Sequence, residues 1–314
     1  MKKTLLALAM LALTTGAAMA GTSIGVSMPD LTDPFLAVLR TGMAAEAKGR
    51  DAELRVEYAQ GDVARQIGQI KALAASGVQA IIVTPVDTSA TQAMSDAAAA
   101  ANIPLVYVNR QPINLDTLPD NQAFVGSNED QSGTLQTAEV CRLLKQSGKP
   151  EAQVYVIMGD LANQAAVQRT RDIHDVMVDG QCEVTMVIRD EQSANWSRSQ
   201  SRALMAGWIA TGMPFDAVIA NNDEMAIGAV EAMKAAGMDG KTAVVAGIDA
   251  TRDGLAAMMA GDLDVTVFQD AAAQGARALE AAVSLAHAGR VERKVYIPFE
   301  LVTPANAAGF QGRN

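Results

Sequence analysis

The sequence predicts an α/β fold with two Rossmann-like domains, each a doubly wound parallel sheet, joined by a hinge of three strands. Short apolar, β-branched runs alternate with amphipathic stretches along nearly the whole chain, as in parallel sheets covered by helices on both faces. The two halves also resemble each other in the order of these elements. A length of 314 residues is enough for two domains of ordinary size.

The apolar runs give the predicted strands, and the segments between them give the helices. Val63, Ile67 and Ile70 recur at helical spacing, so the segment that contains them presents one apolar stripe to a sheet. The predicted strands are Thr22–Met28, Leu54–Tyr58, Ala80–Thr84, Leu105–Val108, Gln153–Met158, Val184–Ile188, Ala217–Ala220, Ala243–Gly247 and Val265–Phe268.

Three segments are predicted to cross between the domains. The first is the short extended stretch Ala123–Gly126, the second follows Phe268, and the third is Val295–Val302. Pro298 lies within the third segment, and proline lacks the hydrogen-bond donor that a central strand needs. The predicted N-terminal lobe is residues 21–126 plus 269–297, and the C-terminal lobe is residues 127–268 plus 298–314.

The N-terminus has the pattern of an export signal. Lys2 and Lys3 precede an apolar run that closes with Ala18-Met19-Ala20, a small-x-small cleavage pattern, so residues 1–20 are predicted to be a signal peptide cut after Ala20. A membrane anchor would need roughly 20 uninterrupted apolar residues, and this run stops sooner. The mature chain is therefore expected in an oxidising compartment, best matched by a Gram-negative periplasm.

Composition and motif content exclude several classes of function. The formal charge of −10 repels phosphate backbones, so nucleic acid is not an expected partner. No Gly-rich fingerprint follows a strand, which argues against a nucleotide cofactor, and there is no G-x-S-x-G nucleophile motif. The two histidines are far apart in sequence, so no metal is expected. The two cysteines, Cys141 and Cys182, are either bridged or free.

Polar residues follow the predicted strands, where open α/β sheets bind their ligands. Carboxylates, amides and an arginine together match the donors and acceptors of a hydroxyl-rich molecule. Asp223 or Asp249 taken alone would instead be interpreted as a helix cap. The residues at these strand ends are Asp33, Phe35, Thr84, Asp87, Asn109, Arg110, Asn222, Asp223, Asp249 and Gln269.

The chain resembles the periplasmic sugar-binding proteins of the galactose- and ribose-binding type. The resemblance spans residues 22–304 and includes IGVSMPDLTDPFLAVLRTGM, GVQAIIVTPVDT and VIANNDEMAIGAVEAMKAAG. YVNRQP, ANWSRSQ and VTVFQD with IPFELVTP look most like the branch that binds inositols and the inositol derivatives called rhizopines. The resemblance implies the type I periplasmic binding protein fold, with the ligand in the cleft between the lobes.

The resemblance also implies which residues form the pocket. In the first lobe the matching positions supply an acid, an aromatic ring and an amide–arginine pair; these are Asp33, Phe35, Asn109 and Arg110. In the second lobe and its hinge they supply an arginine, a second aromatic wall, two amides and an acid; these are Arg169, Trp196, Asn222, Asp249 and Gln269. From the sequence alone, Phe35 could equally be a core residue and Trp196 a wedge at a helix start.

Three positions depart from the better-known branches. Leu36 stands where the ribose branch has another aromatic residue, and Asn163 and Ala165 stand where the galactose type has a His and an Asp. The segment GKPEAQ is too short for the calcium loop of the galactose type, so no bound metal is expected.

The expected function is therefore that of a monomeric, non-enzymatic solute-binding protein. It would bind a small neutral polyol, myo-inositol or a related cyclitol, without a cofactor, and deliver it to an ABC permease in the inner membrane. An aldohexose or other monosaccharide is the alternative ligand. A sugar-responsive repressor would need a DNA-binding motif in place of the export signal, and an exported polyol-acting enzyme would need catalytic groups that the motifs do not provide.

Overall fold

The computed structural model describes residues 21–30, 32–180, 182–239 and 242–314. The predicted signal peptide, residues 1–20 with its cleavage point after Ala20, lies outside the described residues. None of the helices in the described ranges is both long and apolar enough to cross a membrane.

Strands and helices alternate as the sequence pattern predicts. The strands are β1 (Thr22–Met28), β2 (Ala52–Tyr58), β3 (Ala80–Val83), β4 (Leu105–Val108), β5 (Gln122–Gly126), β6 (Glu151–Met158), β7 (Thr185–Ser193), β8 (Ala217–Ala220), β9 (Val244–Ala246), β10 (Thr266–Phe268), β11 (Lys294–Tyr296) and β12 (Glu300–Val302). The helices are α1 (Pro34–Gly49), α2 (Val63–Ala75), α3 (Thr91–Ala100), α4 (Ser132–Gln146), α5 (Gln164–Val178), α6 (Arg198–Ala210), α7 (Asp223–Ala235), α8 (Arg252–Met259) and α9 (Ala271–Ala286).

In the described residues the strands form a sheet of six strands, a sheet of four and the short pair β10–β12, which isolated bridges join to the sheet of four. The first is parallel throughout, in the order β2-β1-β3-β4-β5-β11. The second has the parallel order β7-β6-β8-β9, and isolated bridges from Ala246 to Val265 and from Asp249 to Phe268 continue it to β10, which pairs antiparallel with β12. β3 in the first sheet and β8 in the second are completely buried, which explains their continuous apolar sequences.

The chain passes between the sheets at three places within the described residues. It leaves the first sheet after β5, returns after β10 to α9 and β11, and crosses again through Ile297-Pro298-Phe299 to β12. The stretch Ala123–Gly126, predicted as a crossing, is itself paired with β4 and β11 in the first sheet. That prediction was wrong because the buried stretch is extended and hydrogen-bonded on both sides, and the crossing begins only after it. The assignment of residue ranges to two lobes stays a prediction.

Helix α9 follows β10 of the second sheet but packs against α1 on the first. A Cβ at Gly275 would clash with the carbonyl oxygen of Leu39, so the two helices can approach this closely only where α9 has a glycine. This packing anchors the returning chain on the first sheet.

Strand β7 is longer than the predicted Val184–Ile188 because it lies at the edge of its sheet. Its apolar pattern ends at Ile188, but pairing with β6 continues through polar residues to Ser193.

Nearby, the structure contains a disulfide between Cys141 of α4 and Cys182, whose Cα atoms are 5.3 Å apart, within the range that a disulfide requires.

Candidate ligand-binding site

A cleft pocket that spans about 360 Å³ of space, part of it open to solvent, lies between the carboxyl ends of the two sheets. All nine residues that the sequence predicted for the pocket contribute to its wall, together with three others. The lining residues are Asp33, Phe35, Asn109, Arg110, Glu129, Asn163, Ala165, Arg169, Trp196, Asn222, Asp249 and Gln269. The two halves of the chain therefore contribute to one polar site.

Asp33 and Phe35 reach the cavity from the start of α1. Asp33 caps this helix, its Oδ1 accepting hydrogen bonds from the backbone N–H of Phe35 at 2.9 Å and of Leu36 at 3.4 Å. Burial raises the pKa of Asp33, and the nearby Arg110 guanidinium offsets part of this rise. Phe35 is only 7% exposed. It packs in the core of the first sheet and also lines the cavity, so it is a core residue and part of the cavity wall at once.

Asn109 follows β4 in a left-handed backbone conformation, with φ of 65°. Asparagine tolerates this region better than most residues. Its Nδ2 donates to Gln274 Oε1 at 3.1 Å, and Gln274 Nε2 in turn donates to Ser127 Oγ at 3.0 Å. This buried chain of amides fixes the side chain of Asn109 at the cavity wall.

Arg110 is buried beneath the same wall. Its Nη1 donates to the backbone carbonyl oxygens of Pro85 at 2.9 Å and Val86 at 3.3 Å. Burial lowers the pKa of Arg110, and the carboxylates of Asp33 and Asp160 offset part of this. The main chain therefore holds one end of the guanidinium while its cavity-facing part can donate to a ligand.

Arg169 projects from α5 into the other side of the cavity and forms a two-pronged ion pair with Glu129. Its Nε donates to Glu129 Oε2 at 2.8 Å and its Nη2 to Glu129 Oε1 at 3.0 Å. Nη1 donates to the backbone oxygen of Asn221 at 2.8 Å. Burial lowers the pKa of Arg169, but the Glu129 and Asp249 carboxylates outweigh this, so the pKa lies above its ordinary value.

Trp196 forms an aromatic wall from the loop before α6. Its backbone is left-handed, with φ of 62°, and a Cβ at Gly159 would clash with its indole ring. Among the described residues, no acceptor meets its buried Nε1. Strain of this kind persists only where the surroundings enforce it, and it is concentrated at functional sites.

Asn222, Asp249 and Gln269 complete the second side. Asn222 Oδ1 caps α7 by accepting from the Met225 N–H at 3.0 Å. Asp249, with φ of 118°, is buried, and its Oδ1 is 3.9 Å from Arg169 Nη1, too far for a hydrogen bond. Burial raises the pKa of Asp249 well above its ordinary value, and Arg169 lowers it only in part.

The capping interpretation of Asp223 and Asp249 was wrong. Thr251 caps α8, and Asn222 caps α7. The Asp223 carboxylate is instead fully buried, where it accepts hydrogen bonds from Thr251 and Thr266. Asp223 is thus a structural support behind the cavity wall.

Besides Asp223, two other strand-end residues in the described chain lie outside the cavity. Thr84 is buried behind it, and Asp87 caps a short 3-10 helix by accepting from the Ser89 N–H at 2.7 Å. Sequence reasoning also missed Glu129. This residue follows the carboxyl end of β5, and the same strand-end rule would have found it had Ala123–Gly126 been taken as a strand.

The two sides of the cleft touch each other beside the cavity. Thr88, on the first side, donates its backbone N–H to Ala162 O at 2.9 Å and accepts at its Oγ1 from the Gln164 N–H at 3.1 Å. The arrangement is therefore closed. No group of three or more potential metal-ligating His, Cys, Asp or Glu side chains occurs in the described ranges.

A closed cleft between two parallel α/β sheets, with a polar cavity at the strand ends, defines the class of two-lobed solute-binding proteins. The chain belongs to the periplasmic binding protein family, since residues 24–290 match the model described as "Periplasmic binding protein domain". This confirms the family resemblance and the predicted α/β fold of the type I periplasmic binding proteins. The family is periplasmic.

Relatives and solved structures resemble the chain over nearly its whole length. It is 56% identical to a Rhizobium meliloti protein named "Putative rhizopine-binding protein", with 100% of both chains covered. A Bacillus halodurans ABC transporter solute-binding protein with bound myo-inositol has a TM-score of 0.86 at 37% identity, over 95% of this chain and 100% of that one. A Caulobacter myo-inositol-binding protein bound to myo-inositol has a TM-score of 0.82 at 27% identity, over 92% and 95%.

Proposed function

We propose that this chain is the solute-binding protein of an ABC importer and that it binds a cyclic polyol, myo-inositol or a related cyclitol or rhizopine, in the closed cavity. One observation carries the proposal: two aromatic rings and a set of charged and amide groups from both sides of the cleft line the same small cavity. The solute-binding relatives with bound myo-inositol support the choice of ligand.

The chemistry of the wall suits a ring with hydroxyl groups around its edge. Phe35 and Trp196 offer apolar faces against which the C–H surface of such a ring can pack. Asp33 and Asp249 can accept hydrogen bonds from hydroxyl groups, and Arg110 can donate to them. Hydrogen bonds to charged groups that are themselves buried favour tight binding of a molecule that is itself neutral.

Contacts from both sides would couple binding to closure of the cleft. A ligand shifts a conformational equilibrium only by the difference between its affinities for the two states. A polyol that contacts both Asp33 and Asp249 would therefore favour the closed state by hinge bending. The closed surface would then be what the ABC permease recognises.

Three positions favour a cyclitol over the sugars of the better-known branches. Leu36 is buried in the core, so it does not provide a second ring beside Phe35. Asn163 and Ala165 do line the cavity, and Ala165 offers no hydrogen-bonding side chain there. An aldohexose would lose the side-chain polar contact that the galactose type makes at the position of Ala165, and would meet an amide at Asn163.

The remaining features of the proposal concern location and partners. The mature protein would begin at Gly21 after cleavage of residues 1–20, act in the periplasm as a monomer, and release its ligand unchanged. The two lobes would be residues 21–126 plus 269–297 and residues 127–268 plus 298–314.

A thermal-shift panel on the ligand-stripped mature protein tests this proposal. The panel contains myo-inositol, scyllo-inositol, an inosamine, D-glucose, D-galactose and D-ribose. At 100 times Kd a ligand adds about 2.7 kcal/mol to stability, which for a chain of this size raises Tm by about 5 °C. We expect that shift with at least one cyclitol and less than 1 °C with the sugars. Shifts with the sugars and none with the cyclitols would refute the ligand assignment.

A further inference from the structure

The three crossings between the sheets meet at one side chain, Arg169. Glu129 lies just beyond the first crossing, Gln269 directly after β10 at the second, and Phe299 directly before β12 at the third. Arg169 Nη2 donates to Gln269 Oε1 at 3.4 Å, and the Arg169 Cζ lies 6.0 Å from the centre of the Phe299 ring. The guanidinium therefore contacts all three connections as well as the cavity.

The same guanidinium forms part of the pocket. Its Cζ lies 5.7 Å from the centre of the Trp196 ring, and Nη1 lies 3.9 Å from Asp249 Oδ1. A guanidinium has five N–H groups. Glu129, Gln269 and the Asn221 carbonyl together occupy four of them in the described structure. The orientation set by these partners therefore decides where the remaining N–H points.

Glu129 is the partner that fixes this orientation. Its carboxylate is 2% exposed, and it accepts from both Arg169 nitrogens and from Ser132 Oγ at 2.9 Å. A planar carboxylate–guanidinium fork sets the rotation of the guanidinium as well as its position. Without this carboxylate, the acid left within 4 Å of Arg169 among the described residues is Asp249, which is proposed to bind the ligand.

We propose that Glu129 is a positioning residue that orients Arg169, and that this ion pair couples the ligand cavity to all three connections between the sheets. The inference rests on the proposed function for its ligand. Glu129 keeps Arg169 from pairing with Asp249, so that the Asp249 carboxylate stays available to a polyol. The Glu129–Arg169 ion pair also links the three crossings, so that their conformations change together when a ligand occupies the cavity.

The test compares Glu129→Gln with Glu139→Gln. Glu139 also forms a two-pronged pair, with Arg142 at 2.6 and 2.7 Å, but on α4 and away from the cavity and the crossings. We expect Glu129→Gln to weaken myo-inositol binding about tenfold or more in calorimetric titration, and Glu139→Gln to leave Kd within about twofold. Glu129→Asp, which keeps the charge, should recover part of the loss.

A double-mutant cycle tells positioning from general damage. If Glu129 acts through Arg169, Glu129→Gln should cost much less affinity in an Arg169→Lys background than in the parent. If the fold-losses in affinity of Glu129→Gln and Arg169→Lys simply multiply in the double variant, the inference is overturned. If the parent binds no cyclitol, the proposed function fails, and the coupling is then decided by a measurement that needs no ligand.

That measurement is hydrogen exchange of the ligand-free protein. Glu129→Gln should speed exchange in residues 126–132, 268–271 and 296–300 together, whereas Glu139→Gln should leave all three segments unchanged. Faster exchange confined to residues 126–132 would overturn the coupling. If Glu129→Gln does not fold, Gln269→Met removes a weaker contact of the same guanidinium and should affect the other two segments in the same way.

Discussion

The two sides of the cavity hold their arginines in different ways. Backbone carbonyls of Pro85 and Val86 hold Arg110, whereas a buried carboxylate, Glu129, holds Arg169. Main-chain contacts leave part of the Arg110 guanidinium available to a ligand, while the Asp33 and Asp160 carboxylates compensate its charge from a distance. The ion pair of Arg169 instead ties most of its donors into the fold. Under the proposed function, Arg110 would therefore serve ligand recognition, whereas Arg169 would mainly support the fold around the cavity.

The largest expected effect is that of Asp249→Ala, which removes a buried acceptor that faces Arg169 at only 3.9 Å. Loss of the hydrogen bonds that Asp249 would make to ligand hydroxyls, with other polar groups of the buried site left unpaired, should weaken myo-inositol binding about 100-fold, measured by calorimetric titration. His174→Ala is the control, because His174 is half-exposed on α5 and bonds only to Glu191 among its described contacts. Equal Kd values for the two variants would remove Asp249 from the site.

The two arginines should differ when each is changed to lysine. Arg169→Lys breaks the fork with Glu129 and should lower the free energy of unfolding by about 2 kcal/mol or more, measured by urea denaturation. Arg110→Lys should weaken myo-inositol binding about tenfold with a smaller loss of stability. If Arg110→Lys proves the more destabilising of the two, the contrast between recognition and support is wrong.

A smaller effect is expected at Gly159, where a methyl group would displace the Trp196 ring from the cavity wall. Gly159→Ala should weaken binding of the same ligand roughly fivefold, because the aromatic contact is lost or shifted. Gly207→Ala is the matched control, since a Cβ at this position in α6 meets open space. It should leave affinity unchanged and add up to about 1 kcal/mol of stability. Unaltered affinity in Gly159→Ala would show that the indole does not contact the ligand.

The smallest expected effect is a dependence of stability on pH, which arises from two buried acids, Asp223 and Asp172. Burial raises the pKa of Asp223 to about 7 and that of Asp172 to about 6, from 3.8. The folded protein therefore binds more protons than the unfolded chain, so stability from these groups is full below about pH 4 and is lost as pH rises through 6 and 7.

Asp223→Asn tests that pH dependence. The asparagine oxygen can still accept from the Thr251 N–H, its NH2 group can donate to Thr266 Oγ1 instead of accepting from it, and the side chain does not ionise. We expect the decrease in Tm between pH 5 and pH 8 to be smaller in the variant by about 2 °C or more. An identical decrease in the two proteins would mean that Asp223 does not titrate in this range.

The sequence predicted the strand ends well because buried parallel strands are continuous apolar runs with polar residues after them. β8 has the predicted bounds, and all nine predicted pocket residues line one cavity. Whether they bind a ligand stays a proposal. Edge strands were predicted less well, as β7 shows, because pairing at an edge does not require apolar side chains.

Features that depend on distant contacts could not be predicted from the sequence. The left-handed conformations of Asn109, Trp196 and Asp249 follow from packing around the cavity rather than from local sequence. The Arg169–Glu129 pair joins residues 40 apart in sequence. Gly159 has a reason to be glycine only once the Trp196 ring is seen to lie over it.

The most direct test of the central claim is a crystal structure of the mature protein with myo-inositol. We expect the ring of the ligand to lie between Phe35 and Trp196, with its hydroxyl groups bonded to Asp33 and Arg110 on one side and to Asp249 on the other. A ligand bound to residues of one side only, or outside this cavity, would contradict the claim that the two halves form a single site.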